Sequence, residues 1–375
     1  MNRPAALCIA FLSLAVLAAH GQDVSFSSLP PGYVSGEVPL GTNNSASALA
    51  QDPDDDNFIY VAGMFGGEKG IIHLDLRDGA QTRVFACPTT VSVNGFAVLR
   101  ADVIFISDNA NDRLYVLRDD SPHDGDFDDP GEIRALIEPI LTHPTLGWTG
   151  VAVTIVRTAE NRLGLPSDTV LFQSEDGGTT QSEVLAVITP LTSPTFQPPG
   201  GAFFSGFNYG GGLAIDSKGR LLVASSFYPE TGKVWICDDV SGDGVIDESE
   251  SNILLTRASA TTEAAGLSAL AIDAADNCYV CVGMGYGPTA RSDIQTFAVP
   301  WDPLHTTATV RTFGALNSPY VTAMIFNTPS RFFAPYHPDG AILVLLASGP
   351  MWDNLDYLLT VQPAGPSGVR QWQLY

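Results

Sequence analysis

One pattern recurs six times along the chain and constrains the fold more than any other feature. It is an apolar run of strand length, a polar turn carrying Asp or Gly, and a second apolar run. The copies are Ala48–Gly63, Asn94–Asp108, Gly150–Ser174, Gly211–Ser226, and two that begin at Leu267 and Val321. Their starts lie roughly 46–61 residues apart, within the range expected of propeller blades. After each copy a polar loop leads to a third run: GIIHLDL, RLYVLRD, EVLAVIT, KVWICDD, IQTFAVP and DYLLTVQ. Short runs rich in Val, Ile, Leu and Phe, bounded by turn residues, read as strands of stacked antiparallel sheets.

Outer strands are expected at Thr82–Phe85, Ile133–Glu138, Asn252–Thr256 and Val369–Leu374, and Val24–Leu29 is expected to join the last blade and close the circle. Length alone, 375 residues, would divide the chain into about two domains. Six four-stranded units instead fit one all-β ring, so residues 22–375 are expected to form a single six-bladed β-propeller. A composition of 45% hydrophobic and 16% charged residues supports a packed core, and 36 Gly with 26 Pro suits many short strands and turns. GGLAIDSKGRLLVASS with GKVWICDD, and NGFAVLRADVIFISDNANDRLYVL, resemble blades of NHL-repeat propellers. The resemblance implies the fold and no particular chemistry.

Residues 1–21 read as a secretory signal peptide. Arg3 precedes an apolar run from Leu7 to Ala18, and Ala19-His20-Gly21 offers small residues for cleavage before Gln22. The run is too short for a membrane span, and Leu7-Cys8 is no lipoprotein signal. A secreted or periplasmic protein is expected. The net charge of −23 argues against nucleic acid and anionic membranes, which call for Lys/Arg patches. Four cysteines remain after the leader. Cys278 and Cys281 lie three apart in a strand, so they point to opposite faces and should not pair with each other. Buried thiols or one long-range disulfide are expected.

The acidity gathers in places. Asp239-Val-Ser-Gly-Asp-Gly-Val-Ile-Asp-Glu-Ser-Glu250 resembles the twelve-residue calcium loop of EF-hand and dockerin-like proteins. A hard cation wants several oxygen ligands on a tightly curved chain. The resemblance assigns Asp239, Ser241, Asp243, the Val245 carbonyl, Asp247 and Glu250 as Ca2+ ligands, with Gly244 at the sharp turn and Ile246 packed inward. Strand-like runs flank the loop where an EF-hand has helices, which favours a structural clip over a sensor. RLYVLRDDSPHDGDFDDPGE aligns without gaps on GKVWICDDVSGDGVIDESES, placing Asp120, Asp124, Gly125, Phe127 and Asp128 on matching positions. Pro122 and Gly131 replace two ligands there, and Asp126, Asp129 and Glu132 stand nearby to compensate. This loop is read as a second calcium site or an acidic surface loop. Asp52, Asp54 and Asp56 read as ordinary turn formers.

In up-and-down blades, the first-to-second and third-to-fourth loops share one face, which takes both calcium-like loops. The opposite face receives Phe65, Asn109, Trp148, Tyr209, Phe227, Tyr286, Tyr320 and Trp352 among glycines, a set suited to stacking on a ligand. With Asn94 they form the expected ligand site for a small molecule, glycan or protein. NGFAV…FISD is also similar to a blade of the gluconolactonase/regucalcin family, whose metal site at the central mouth would use Asn94 and, less closely, Asp108. The Asp-Gly of a later blade reads Gly211-Gly212 here, and no histidine sits in a nucleophile motif. The sequence therefore reads as a monomeric, exported, calcium-stabilised binding or scaffold propeller rather than an enzyme, with a metal-dependent hydrolase or lactonase as the alternative.

Overall fold

The computed structural model describes residues 24–364, apart from 42–43, 121–122, 139–140, 143–147, 158–159, 176–180, 209, 226–231, 258–265, 285–290, 319–320, 329–330, 332, 334–339 and 349–355. Its strands form six antiparallel sheets in chain order. Blade one is Ser45–Gln51, Phe58–Phe65, Glu68–Asp75 and Gln81–Ala86, and blade two is Gly95–Arg100, Val103–Asp108, Arg113–Arg118 and Ile133–Ala135. Blade three begins with Trp148–Ile155, Val170–Glu175 and Gln181–Ile188. Its outer position is divided between Thr195–Gln197 and Phe204–Asn208, both paired to the third strand. Blade four is Gly210–Ile215, Leu221–Ser225, Gly232–Cys237 and Ser251–Arg257. Blade five holds Gly266–Ile272, Asn277–Met284, Arg291–Ala298 and Arg311–Leu316, and blade six Val321–Phe326, Leu343–Ser348 and Asp356–Pro363.

Period-two alternation builds the ring. Along Val103–Ile106, Ile104 and Ile106 pack toward blade one while Val103 and Phe105 pack toward blade three. The same division gives apolar clusters between each later pair of blades, and one joins Val344, Leu346 and Leu358 of blade six to Leu49, Ile59 and Val61 of blade one. The core is thus a ring of inter-blade seams, which is why the middle stretches of the second and third strands, such as Val103–Ile106 and Leu114–Leu117, are apolar on both faces.

Closure differs from expectation. Phe26–Ser28 pairs with Arg311–Leu316 and becomes a fifth strand of blade five. Tyr33–Val38 pairs with Asp356–Pro363 and supplies the fourth strand of blade six. Between them Pro30-Pro31-Gly32 turns the chain: the Tyr33 N–H donates to the Pro30 carbonyl (3.3 Å), and Gly32 takes φ 90°, open to glycine. The expected strand Val369–Leu374 lies outside the described residues. Among those described, no helix is long and apolar enough to cross a membrane, and none of Cys87, Cys237, Cys278 and Cys281 forms a disulfide.

Candidate metal-binding loops

The loop between Gly232–Cys237 and Ser251–Arg257 is shaped by its own carboxylates. Asp239 folds the chain around itself: its Oδ1 accepts from the N–H of Gly242 (2.6 Å) and Asp243 (3.2 Å), and its Oδ2 from Gly244 N–H (2.9 Å). Gly244 holds φ 79°, and a Cβ there would come 2.5 Å from Gln197 Nε2, so glycine serves both the turn and the fit. Asp243 Oδ1 accepts from the Val245 N–H at 3.0 Å. Residues 248–250 form one 3-10 turn with a capping box between Asp247 and Glu250. Glu250 reaches back so that Oε1 accepts from the Ser241 N–H at 2.6 Å. Asp239, Asp243 and Glu250 consequently bring carboxylate oxygens within 4.8 Å of one another. The Ser249 hydroxyl and N–H, both donating to Asp247 Oδ1, hold the Asp247 carboxyl below its usual range.

Blade three carries this loop. The Ile246 N–H donates to the Phe203 carbonyl (2.8 Å), and the Ile246 side chain is buried with Phe203, Leu163 and Leu165. Arg162 donates through Nε (2.9 Å) to Asp238, whose side chain is buried, and its second nitrogen lies 2.9 Å from the other carboxylate oxygen. Gly164 backs onto the loop so closely that a Cβ would meet Asp239 Oδ2 at 2.8 Å. Neither Arg162 nor Gly164 carries a sequence signal, because both lie in the long loop between the first two strands of another blade.

The corresponding loop of blade two repeats part of this design. The Phe127 N–H donates to the Val84 carbonyl of blade one (2.8 Å), as Ile246 does to blade three, and Phe127 is buried. Gly125 N–H donates to Asp119 Oδ2 (3.1 Å), and Asp129 N–H to Glu132 Oε2 (2.9 Å). The strand exits match as well, with Arg118 N–H donating to the Glu132 carbonyl where Asp238 N–H donates to that of Glu250, each at 2.9 Å. Hydrogen bonding therefore sets Asp119 and Glu132 opposite Asp239 and Glu250, one residue outside the pair Asp120 and Gly131 that a gapless alignment selects. Asp120 is 3.0 Å from Arg118, Asp128 Oδ1 accepts from Ala86 N–H of blade one (2.5 Å), Asp126 Oδ1 accepts from Asp128 N–H (3.0 Å), and Asp124 is exposed. Burial pushes the Glu132 carboxyl up, with Asp129 and Asp119 acting in the same direction.

On the opposite face, the Asn94 N–H donates to the Ser107 carbonyl (3.0 Å), and its Oδ1 accepts from Asn109 N–H (3.3 Å). Asp108 is buried and accepts from Ser92 N–H, Ala110 N–H and the Asn111 amide. Tyr209, Phe227, Tyr286, Tyr320 and Trp352 lie outside the described residues, as does the side chain of Trp148. The central channel encloses about 330 Å³ between the six inner strands, and its described lining is apolar apart from Gln51, Thr154 and Arg157. Asp52 caps its turn by accepting from Asp54 and Asp55 N–H at 2.8 and 3.2 Å. On the face that carries the two acidic loops, a groove lined by Val240, Ser241, Ser249, Trp301 and His305 runs beside the first loop, with Trp301 88% exposed.

No family model matches the chain, and no curated protein does. Solved structures do. The PQQ-bound aldose sugar dehydrogenase of Streptomyces coelicolor superposes with TM-score 0.58 at 14% identity, over 89% of this chain and 99% of that one. A gluconolactonase from Xanthomonas campestris superposes with TM-score 0.54 at 10% identity, over 90% and 93% respectively. At these identities the likeness shows the propeller fold and carries no activity across.

Proposed function

We propose that this chain is an exported calcium-binding propeller that serves as a ligand-binding or scaffold module, with calcium structural. The observation that carries the reading is the convergence of the Asp239, Asp243 and Glu250 carboxylates on one tightly turned loop. The donor set, completed by the Ser241 hydroxyl, the Val245 carbonyl and Asp247, is all hard oxygen, which suits Ca2+ and offers nothing to a soft metal. The loop also docks on the neighbouring blade through Ile246 and Arg162, so an ion that stiffens it stiffens a seam. A binding role on the same face is supported by Trp301, whose exposed ring, with the Lys218 ammonium 4.0 Å from its centre, gives a small molecule, glycan or protein a surface for stacking and polar contact. The aromatic loops of the other face, with Asn94, are the second region proposed to receive a partner.

A hydrolase or lactonase with a metal at the central mouth is the weaker reading. The described channel lining carries no carboxylate, and Asn94 and Asp108 hold their own loop. Thermal unfolding with and without calcium tests the main reading. With about 1 mM calcium and a site of about 10⁻⁴ M, mass action adds about 1.4 kcal/mol. For a propeller of this size that is a rise of roughly 2 °C in Tm. Asp243→Ala with Glu250→Ala should remove most of the rise; no rise in the unaltered protein contradicts the proposal.

A further inference from the structure

We infer that the blade-two loop holds a second hard divalent cation through Asp119 and Glu132. The inference rests on reading the blade-four loop as a calcium site, because the two loops share their hydrogen-bond frame. Asp119 takes the place of Asp239 as acceptor for the glycine N–H of the turn, and Glu132 the place of Glu250 as acceptor for the N–H three residues before it. The second observation is independent of that frame. In the blade-four loop, Asp239 Oδ1 and Glu250 Oε1 both receive backbone N–H groups. In the blade-two loop, Asp119 Oδ1 and Glu132 Oε1 are buried and receive no hydrogen bond of ordinary geometry among the described residues, although the Asp120 N–H also acts on the Glu132 carboxylate. The residues themselves are 6% and 4% exposed.

Buried carboxylate oxygens without a donor are costly, and native proteins keep few of them. His123 Nδ1 stands 3.5 Å from Asp119 Oδ1 on a largely exposed ring, too far for a hydrogen bond, and Arg118 and Arg134 line a small cavity together with Glu132. Asp124 and Asp126 add two more carboxylates to the same loop. Among the described residues only Asp239, Asp243 and Glu250 already bring three carboxylate ligands within 4.8 Å, so in the blade-two loop an ion held first by Asp119 and Glu132 would have to draw Asp124 or Asp126 in, and it would satisfy both orphaned oxygens.

Equilibrium dialysis of the mature full-length protein against calcium reads the number of ions per chain. Two are expected, falling to one in Glu132→Gln and in Glu250→Gln, and to none in the double variant. One ion in the unaltered protein, lost in Glu250→Gln and kept in Glu132→Gln, overturns the second site and leaves the first standing. The reverse pattern overturns the first site alone. If Glu132→Gln does not fold, Glu250→Gln decides: one retained ion supports the second site, and none overturns it.

Discussion

The loops of blades two and four occupy the same place in their sheets and dock on the preceding blade through the same contact. Phe127 donates to Val84, and Ile246 to Phe203. They part company over how their carboxylates are satisfied. In blade four, Asp239 and Glu250 are wrapped by backbone N–H groups, and Arg162 from blade three neutralises the adjacent Asp238. In blade two, two buried oxygens have no donor of ordinary geometry among the described residues, and Arg118 pairs with the exposed Asp120. One loop is wrapped by its own backbone N–H groups; the other holds buried carboxylate oxygens that lack a donor. The shared feature is mechanical, a hydrophobic peg between blades, and the proposed cation affinity is layered upon it.

Removing the pegs should have the largest effect and should strike both loops. Phe127→Ala is expected to cost about 3–5 kcal/mol and Ile246→Ala about 2–5 kcal/mol in urea unfolding, whether or not calcium is present. If only one destabilises, the loops are not mechanical equivalents. Next comes the guanidinium that blade four alone possesses. Arg162→Met leaves buried Asp238 without its charged partner, an expected loss of about 1–3 kcal/mol. Arg118→Met, which breaks a surface pair, should change stability by about 1 kcal/mol or less. Equal losses would erase the asymmetry.

Acid should give the smallest effect, of opposite sign in the two loops. The Asp247 carboxyl is held below its usual value by Ser249, so its contribution is present above the unfolded pKa and lost as pH falls through the lowered folded value. Glu132 is pushed up by burial, so the penalty of ionising it is relieved as pH falls through its raised folded value. In calcium-free protein, amide hydrogen exchange corrected for intrinsic rates should show protection at Ser249 weakening below about pH 4. Protection at Asp129 should hold or improve over the window just above the usual Glu value.

Much of this architecture was legible in the sequence. GGLAIDSKGRLLVASS resolves into Gly210–Ile215 and Leu221–Ser225, and the outer strand expected at Asn252–Thr256 is Ser251–Arg257. Those elements depend on local alternation and turn chemistry. Ring closure does not: Tyr33–Val38 finds Asp356–Pro363 across more than 300 residues, and nothing local in YVSGEV names that partner. The blade-four loop was readable because each ligand position falls on the repeat of a known motif. The blade-two loop runs one residue longer on either side of Gly125 (119 to 125 against 239 to 244, and 125 to 132 against 244 to 250). A gapless alignment therefore brings Asp120 where the fold brings Asp119. Arg162 and Gly164 were invisible for another reason, since their importance comes from contact with a different blade.

The most direct measurement is a crystal structure of the mature protein grown with calcium, with anomalous differences recorded to locate the ion. A peak ligated by Asp239, Asp243 and Glu250 is the expected result. A saturated crystal with no peak in that loop, or with calcium bound only elsewhere, would contradict the account.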